Sequence, residues 1–166
     1  MKFEDTVLVV GGTLTGLSAG LFYTFNGAII PALRHLKGAQ HIIAMQSINE
    51  KIENPVFFLS FFGPTLLLPL AAFLHRGESQ FGLLVSAAIL HITGINVVTA
   101  VKHIPLNNDL KQLDANQLSE GEADRIREDF QRPGSPWMRW HTVRTLAGTA
   151  ATALVFLACI SKSVPR

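Results

Sequence analysis

Four long apolar stretches, residues 6–30, 56–74, 81–101 and 140–160, constrain this chain more than any other feature. Each is close to the ~20 residues that a helix needs to cross the hydrocarbon core of a bilayer. Together they fill roughly half of 166 residues, which leaves room for one compact unit over 1–166 and no second domain. The expected fold is therefore all-α: a four-helix transmembrane bundle, integral and multi-pass. Hydrophobic residues make up 48% of the chain and charged ones 16%, which agrees with that class. A net charge of +2, scattered and without an aromatic stacking platform, gives no nucleic-acid surface. The single cysteine, Cys159, rules out a disulfide framework and a cysteine-based zinc site.

If all four stretches span, the ends of the first and third helices share a membrane face with the start of the fourth. That face collects Asn26, Asn96, Thr99, His103, Asn107, Trp137, Trp140, His141 and Arg144, and the opposite face has little comparable. Polar groups turned toward lipid cost several kcal/mol unless partnered, so they are expected to point into the bundle. Of the 14 basic residues, Lys2, Arg76, Lys162 and Arg166 fall on the opposite face and the other ten on the polar-cluster side. The positive-inside rule then places the polar-cluster face in the cytoplasm. The segment Met1-Lys2-Phe3-Glu4-Asp5 balances its lysine with two acids, and the apolar run behind it continues to Ile30. It reads as a retained helix and not as a cleaved leader.

Gly12, Gly16 and Gly20 recur at four-residue spacing in the first stretch. Such a smooth groove suits close helix packing, either against Ala147, Gly148, Ala151 and Thr152 of the fourth helix or in a homo-oligomer. From 34 to 53 the pattern changes: His41, Met45, Ile48, Asn49 and Ile52 fall on one side of a helix, and charged residues elsewhere. This predicts an amphipathic interfacial helix lying on the membrane face or folded over the bundle mouth. Its polar members His41 and Asn49 suit a polar pocket better than lipid. Asn54-Pro55 supplies an N-cap and a first-turn proline for the second span. Pro64 and Pro69 inside that span predict a bend or carbonyls opened to a ligand. A long polar loop is expected over 103–136, with a short helix capped by Ser119 and Glu122.

Thr93, Asn96, Thr99 and His103 lie close to one stripe of the third helix, and Trp137, Trp140, His141 and Arg144 on one stripe of the fourth. Facing each other, they form a pocket with aromatic walls, two imidazoles, amides and a fixed positive charge. Plainer readings stand beside this one. The tryptophans suit an interfacial belt, Arg144 can snorkel to headgroups, and each histidine alone suits a structural hydrogen bond. His91 projects away from the Asn96 stripe, and His35 and His75 read as surface residues. His41, His103 and His141 are the one set of imidazoles able to meet at a metal. They have no local ligand spacing and no intramembrane carboxylate beside them, so no metal, haem or other cofactor is expected. Phosphate and dinucleotide loops are absent.

Met45-Gln46-Ser47-Ile48-Asn49, His103-Ile104-Pro105-Leu106-Asn107 and Trp137-Met138-Arg139-Trp140-His141-Thr142-Val143-Arg144 together resemble the anthrone oxygenase-like family of small four-helix membrane proteins. The resemblance extends over nearly the whole chain, although His103 stands where the family commonly has asparagine. It implies oxidation of anthrones, tricyclic phenolic ketones, to anthraquinones. An anthrone becomes an electron-rich carbanion on losing a proton, and that carbanion reacts with oxygen without a metal. His141 or His103 is then the candidate base, and Arg144 with Asn107 or Asn49 stabilises the oxyanion. Trp137 and Trp140 would stack the flat substrate, with Asn49, Asn96, Thr99, Asn26 and His41 lining the pocket. The competing class is a bundle that binds a quinone, pigment or lipid, or docks into a larger complex, without catalysis. A proton-coupled transporter is disfavoured by the lack of a membrane-embedded carboxylate. The expected partners are a hydrophobic small molecule and membrane lipid.

Overall fold

The computed structural model describes residues 2–161, and among them there is no strand. Lys162 and Arg166, counted above for orientation, lie outside the described residues. The helices are α1 (Phe3–Leu33), α2 (Gly38–Ile52), α3 (Pro55–Leu74), α4 (Phe81–Lys111), α5 (Glu120–Gln131) and α6 (Pro136–Ser161). Four segments, α1, α3, α4 and the stretch holding α6, are long and apolar enough to cross a membrane. They pack in the ring order α1, α3, α4, α6, each against two neighbours. Val56, Leu59, Leu66, Leu146 and Phe156 point outward as a lipid-facing belt.

The expected helix ends shift in a way that bears on the site. Pro31 and Pro105 do not stop α1 and α4. Each follows a π-helical turn, Phe25–Ile29 in α1 and Thr99–His103 in α4, and the helix continues beyond it. A proline ring clashes with the preceding turn of an α-helix, and a wider turn with i→i+5 bonding makes room for it. Both helices thus reach 31 residues, about 46 Å at 1.5 Å per residue against a hydrocarbon thickness near 30 Å. Their surplus projects on the polar-cluster side.

The long polar loop expected over 103–136 is accordingly mostly helix. The end of α4 and the whole of α5 occupy it, with turns between. Ser119 caps α5 as its spacing with Glu122 predicts. The fourth span begins at Pro136 and not at 140, because Ser135 Oγ accepts the Met138 N–H at 3.2 Å and proline fills the first helical position. Asn54 caps α3 in the expected way, accepting the Phe57 N–H at 3.0 Å.

Of the two placements considered for the amphipathic helix, the structure has the one over the bundle mouth. There α2 packs on α5. His41, Ile42 and Met45 are fully buried beneath it. The Gly38 N–H donates to Asp124 at 2.8 Å, the Gln46 side chain to the carbonyls of Leu110 and Leu113, and Arg127 to the Leu36 carbonyl. Gly38 presses on the Ala123 backbone so closely that a Cβ has no room. Of the glycine stripe on α1, Gly12 packs on Val155 and Gly16 on Thr152 of α6, while Gly20 is open. The apolar core is split: an alanine-rich floor around Leu68, Ala87 and Ala151, and a cap core around Ile42, Met45 and Trp137. The polar residues lie between the two.

Candidate functional site

Arg144 stands on α6 two turns from its start and is 8% exposed. Its Nη1 donates to Thr99 Oγ1 at 3.1 Å, its Nη2 to Nδ1 of His141 at 3.1 Å, and its guanidinium lies 4.5 Å from the centre of the Phe22 ring. No ion pair among the described residues includes it. Its Nε is buried with no hydrogen-bond partner. A buried charge in a low-dielectric bundle is costly unless partnered, and the Phe22 face and two neutral acceptors offset only part of that cost.

His141 is 1% exposed and packs flat on Trp137, ring centroids 4.9 Å apart and planes 17° off parallel. Phe22 and Phe25 meet its ring edge-on from α1. Phe25 opens the first π turn, so that widened turn brings an aromatic residue to the site. His103 closes the second such turn in α4. Its fully buried ring lies 5.1 Å from Trp137 and 6.2 Å from His141, with neither nitrogen in an aligned hydrogen bond. The Trp137 Nε1–H donates to Asn107 at 3.0 Å, and Asn107 donates to Asn49 at 3.2 Å. A continuous line of contacts therefore runs from α2 through α4 and α6 and back to α4: Asn49, Asn107, Trp137, His141, Arg144, Thr99.

The other residues singled out in the sequence lie elsewhere. Asn96 donates to the Phe61 carbonyl on α3 at 3.1 Å and accepts from Thr65 at 2.9 Å. His91 meets the same Phe61 carbonyl at 3.0 Å, contrary to the expectation that it points away from Asn96. The third π turn, Ile92–Val97, is the reason. Five residues apart, the two side chains diverge on an α-helix but line up where bonding runs i→i+5. Phe61 lies one turn before Pro64, and two side chains of α4 take its carbonyl, so this contact is a structural joint between α3 and α4. Trp140 is half-buried under Lys102, 5.2 Å above its ring. Asn26 is exposed on the first π turn. His75, read from sequence as a surface residue, is fully buried, with Nδ1 against its own helix at the Ala71 carbonyl, 2.8 Å away.

His41 belongs to the cap. Its Nδ1 accepts from Gln131 at 3.0 Å, and Phe130 packs edge-on to its ring. Phe130 and Trp137 separate it from His103 and His141. Burial, and then the nearby Arg127 charge, hold its pKa down at about 4 against a Leu33 carbonyl contact that raises it. The three imidazoles considered as a metal set thus do not meet, and among the described residues no three histidine, cysteine, aspartate or glutamate side chains have ligand geometry. Gln131 also lines an open depression of about 470 Å³ on the cap surface, with Arg34, Arg127 and Arg132.

Sequence reasoning missed Phe22, Phe25, Phe130 and Gln131. The faint signal for Phe22 was its place one helical turn before Asn26.

A protein-family model described as anthrone oxygenase matches residues 57–154, more than half of the chain. The chain belongs to the anthrone oxygenase family. For this family member the matched span holds His103, Asn107, Trp137, Trp140, His141 and Arg144, together with Asn96 and Thr99. It is narrower than the resemblance read from sequence: α1 with Asn26, and α2 with His41 and Asn49, lie before it. No curated protein and no solved structure matches the chain.

Proposed function

We propose that this protein is a membrane-embedded oxygenase of anthrone-like or other hydrophobic phenolic substrates, base-assisted and needing no cofactor for the carbanion step. The observation that carries the reading is the buried Arg144 guanidinium, bonded to His141 and Thr99, unpaired with any carboxylate among the described residues, and adjoining the Trp137–His141 stack. Such a site favours a flat molecule on which negative charge develops.

An imidazole of the cluster, His103 or His141, removes a proton from the anthrone methylene. The electron pair delocalises onto the ketone oxygen, which Arg144 and Asn107 stabilise. The carbanion then reacts with molecular oxygen to a hydroperoxide, and loss of water leaves the second carbonyl. One anthrone and one O2 give one anthraquinone and one H2O. Trp137 supplies aromatic surface, and Asn49 and Thr99 support the donors; Trp140, Asn26, Asn96 and His41 take no part in this step. The polar-cluster face is proposed to be cytoplasmic.

The test is oxygen uptake by detergent-purified protein, metal-stripped and metal-replete, with an anthrone such as emodin anthrone. Uptake above the spontaneous rate that survives metal removal is expected, and His141→Ala and Arg144→Ala should each abolish it in inserted protein. Uptake that requires metal would overturn the metal-independent mechanism. A second reading is favoured by one observation: His103, His141 and Arg144 are all closed off beneath the cap. A bundle that stores or presents a quinone, pigment or lipid, or joins a larger complex, needs that closure and no base. Bound ligand without oxygen uptake would favour it.

A further inference from the structure

We infer that the two imidazoles have opposite duties: His141 with Arg144 forms a donor pair that holds the oxygen of a phenolate or enolate, and His103 takes the proton. The proton-acceptor half rests on the oxygenase reading above; the anion site does not.

An arginine has five N–H donors and no acceptor. Nδ1 of His141, 3.1 Å from Arg144 Nη2, must therefore present its lone pair, and the neutral ring carries its hydrogen on Nε2. Nε2 is buried with no aligned partner, while the ring lies beside the Phe22 carbonyl. His141 thus offers a ligand an N–H and has no free lone pair. To act as a base it would have to break its bond to Arg144 and then carry a second positive charge against the guanidinium. His103 has no bond to Arg144 to break, and its proton, too, would lie within reach of the guanidinium charge. Neither of its nitrogens is engaged in an aligned bond, and the Trp140 carbonyl beside it can accept one N–H, which leaves the lone pair of the other nitrogen available.

Arg144 completes the site. It is 8% exposed, and its Nε–H has no partner. A buried guanidinium with a spare donor is best matched by an anion, and the flat Trp137–His141 stack selects a planar aromatic one. The ligand class is a fused aromatic with an acidic hydroxyl or an enolisable ketone. In the proton step the substrate C–H or O–H bond breaks and an N–H bond forms on His103. The electron pair stays on the oxygen facing Arg144 and His141. Cation and anion appear together, so the cluster's net charge is unchanged.

Two measurements on the full chain in detergent test this, each on variants that elute monodisperse. In oxygen uptake with emodin anthrone, His141→Gln keeps an amide N–H near the Nε2 position but cannot take a proton, and should stay within about tenfold of wild type. His103→Gln should fall at least ~100-fold, the scale of a lost general base. The reverse order would overturn the division. Separately, a hydroxyanthraquinone that changes colour on ionisation reports binding without turnover. Wild type should hold it as the phenolate about one pH unit or more below its ionisation in empty micelles, a tenfold preference. His141→Gln should keep that shift, and His141→Leu and Arg144→Met should lose it. No shift in wild type would overturn the anion site even if oxygen uptake is found. A shift without uptake would uphold the anion site and remove the oxygenase reading.

Discussion

Arg144 donates to Nδ1 of His141 across 3.1 Å, from one turn further along the same helix. A guanidinium repels a protonated imidazole but donates to a neutral one, so the pair is stable only with the imidazole neutral. Arg144→Met keeps the volume of the side chain and removes the charge and all five donors. Anthrone-dependent oxygen uptake should drop by about 10²–10³ in kcat, the range seen when an oxyanion donor is lost. Equal kcat in the variant and wild type would remove Arg144 from the chemistry.

Asn107 is one link between cap and bundle. It accepts the Trp137 N–H and donates to Asn49. Asn107→Ala orphans a buried indole N–H and should cost about 1–3 kcal/mol of stability, measured by thermal unfolding in a fixed detergent. Asn49→Ala leaves the indole bond intact and should cost less. Equal losses in the two variants would show that the bond to Trp137 has no special weight.

Gly38 presses on Ala123 with no space for a Cβ. Gly38→Ala should push α2 away from α5 and cost on the order of 1–3 kcal/mol, as overpacking does. The effect belongs to the cap alone. Amide exchange should quicken in α2 and α5 and stay slow in α3 and the far half of α6; uniform quickening would contradict this local picture.

His41 gives the cap a defined pH dependence. Its folded pKa of about 4 lies below the ordinary 6.5, so the unfolded state binds its proton first as pH falls. Its contribution is complete above pH 6.5, shrinks from there toward pH 4 and is gone below. At ~1.36 kcal/mol per unit the whole window is worth up to about 3 kcal/mol. Stability of the wild type followed between pH 7 and 4 should decline more than that of His41→Asn, whose amide does not titrate. Parallel curves would show that His41 does not govern the window.

The sequence carried the architecture because membrane spans leave a composition signal that needs no tertiary information: the apolar runs that became α1, α3, α4 and α6 were legible from length alone. So were the caps at Asn54 and Ser119, which depend on three-residue spacing. The stripe on α6 brought Trp137, His141 and Arg144 together because α6 is α-helical throughout. The stripe on α4 failed at Asn96 and His91, since two π turns change the angular step that stripe-reading assumes. His75 was misjudged because it stands at a helix end, where pattern alone reads a polar residue as exposed; its ring turns back to the Ala71 carbonyl and is fully covered. Trp140 and Asn26 occupy polar positions at the correct depth but on outward sides, which periodicity near a helix end does not resolve.

The turns at Phe25–Ile29 and Thr99–His103 make helix winding, as well as residue type, a determinant of the site. A π turn contains about one residue more than the α turn it replaces. Were the same residues wound as plain α-helix, everything beyond the turn would rotate by roughly 100° and advance by ~1.5 Å. His103 and Asn107 would then swing away from Trp137 without either being substituted. The π turn takes up its extra residue in place, so deleting Ala100 would let it relax to α geometry with the helix beyond still in register. The winding of one turn, and not only the residues on it, decides which side chains meet.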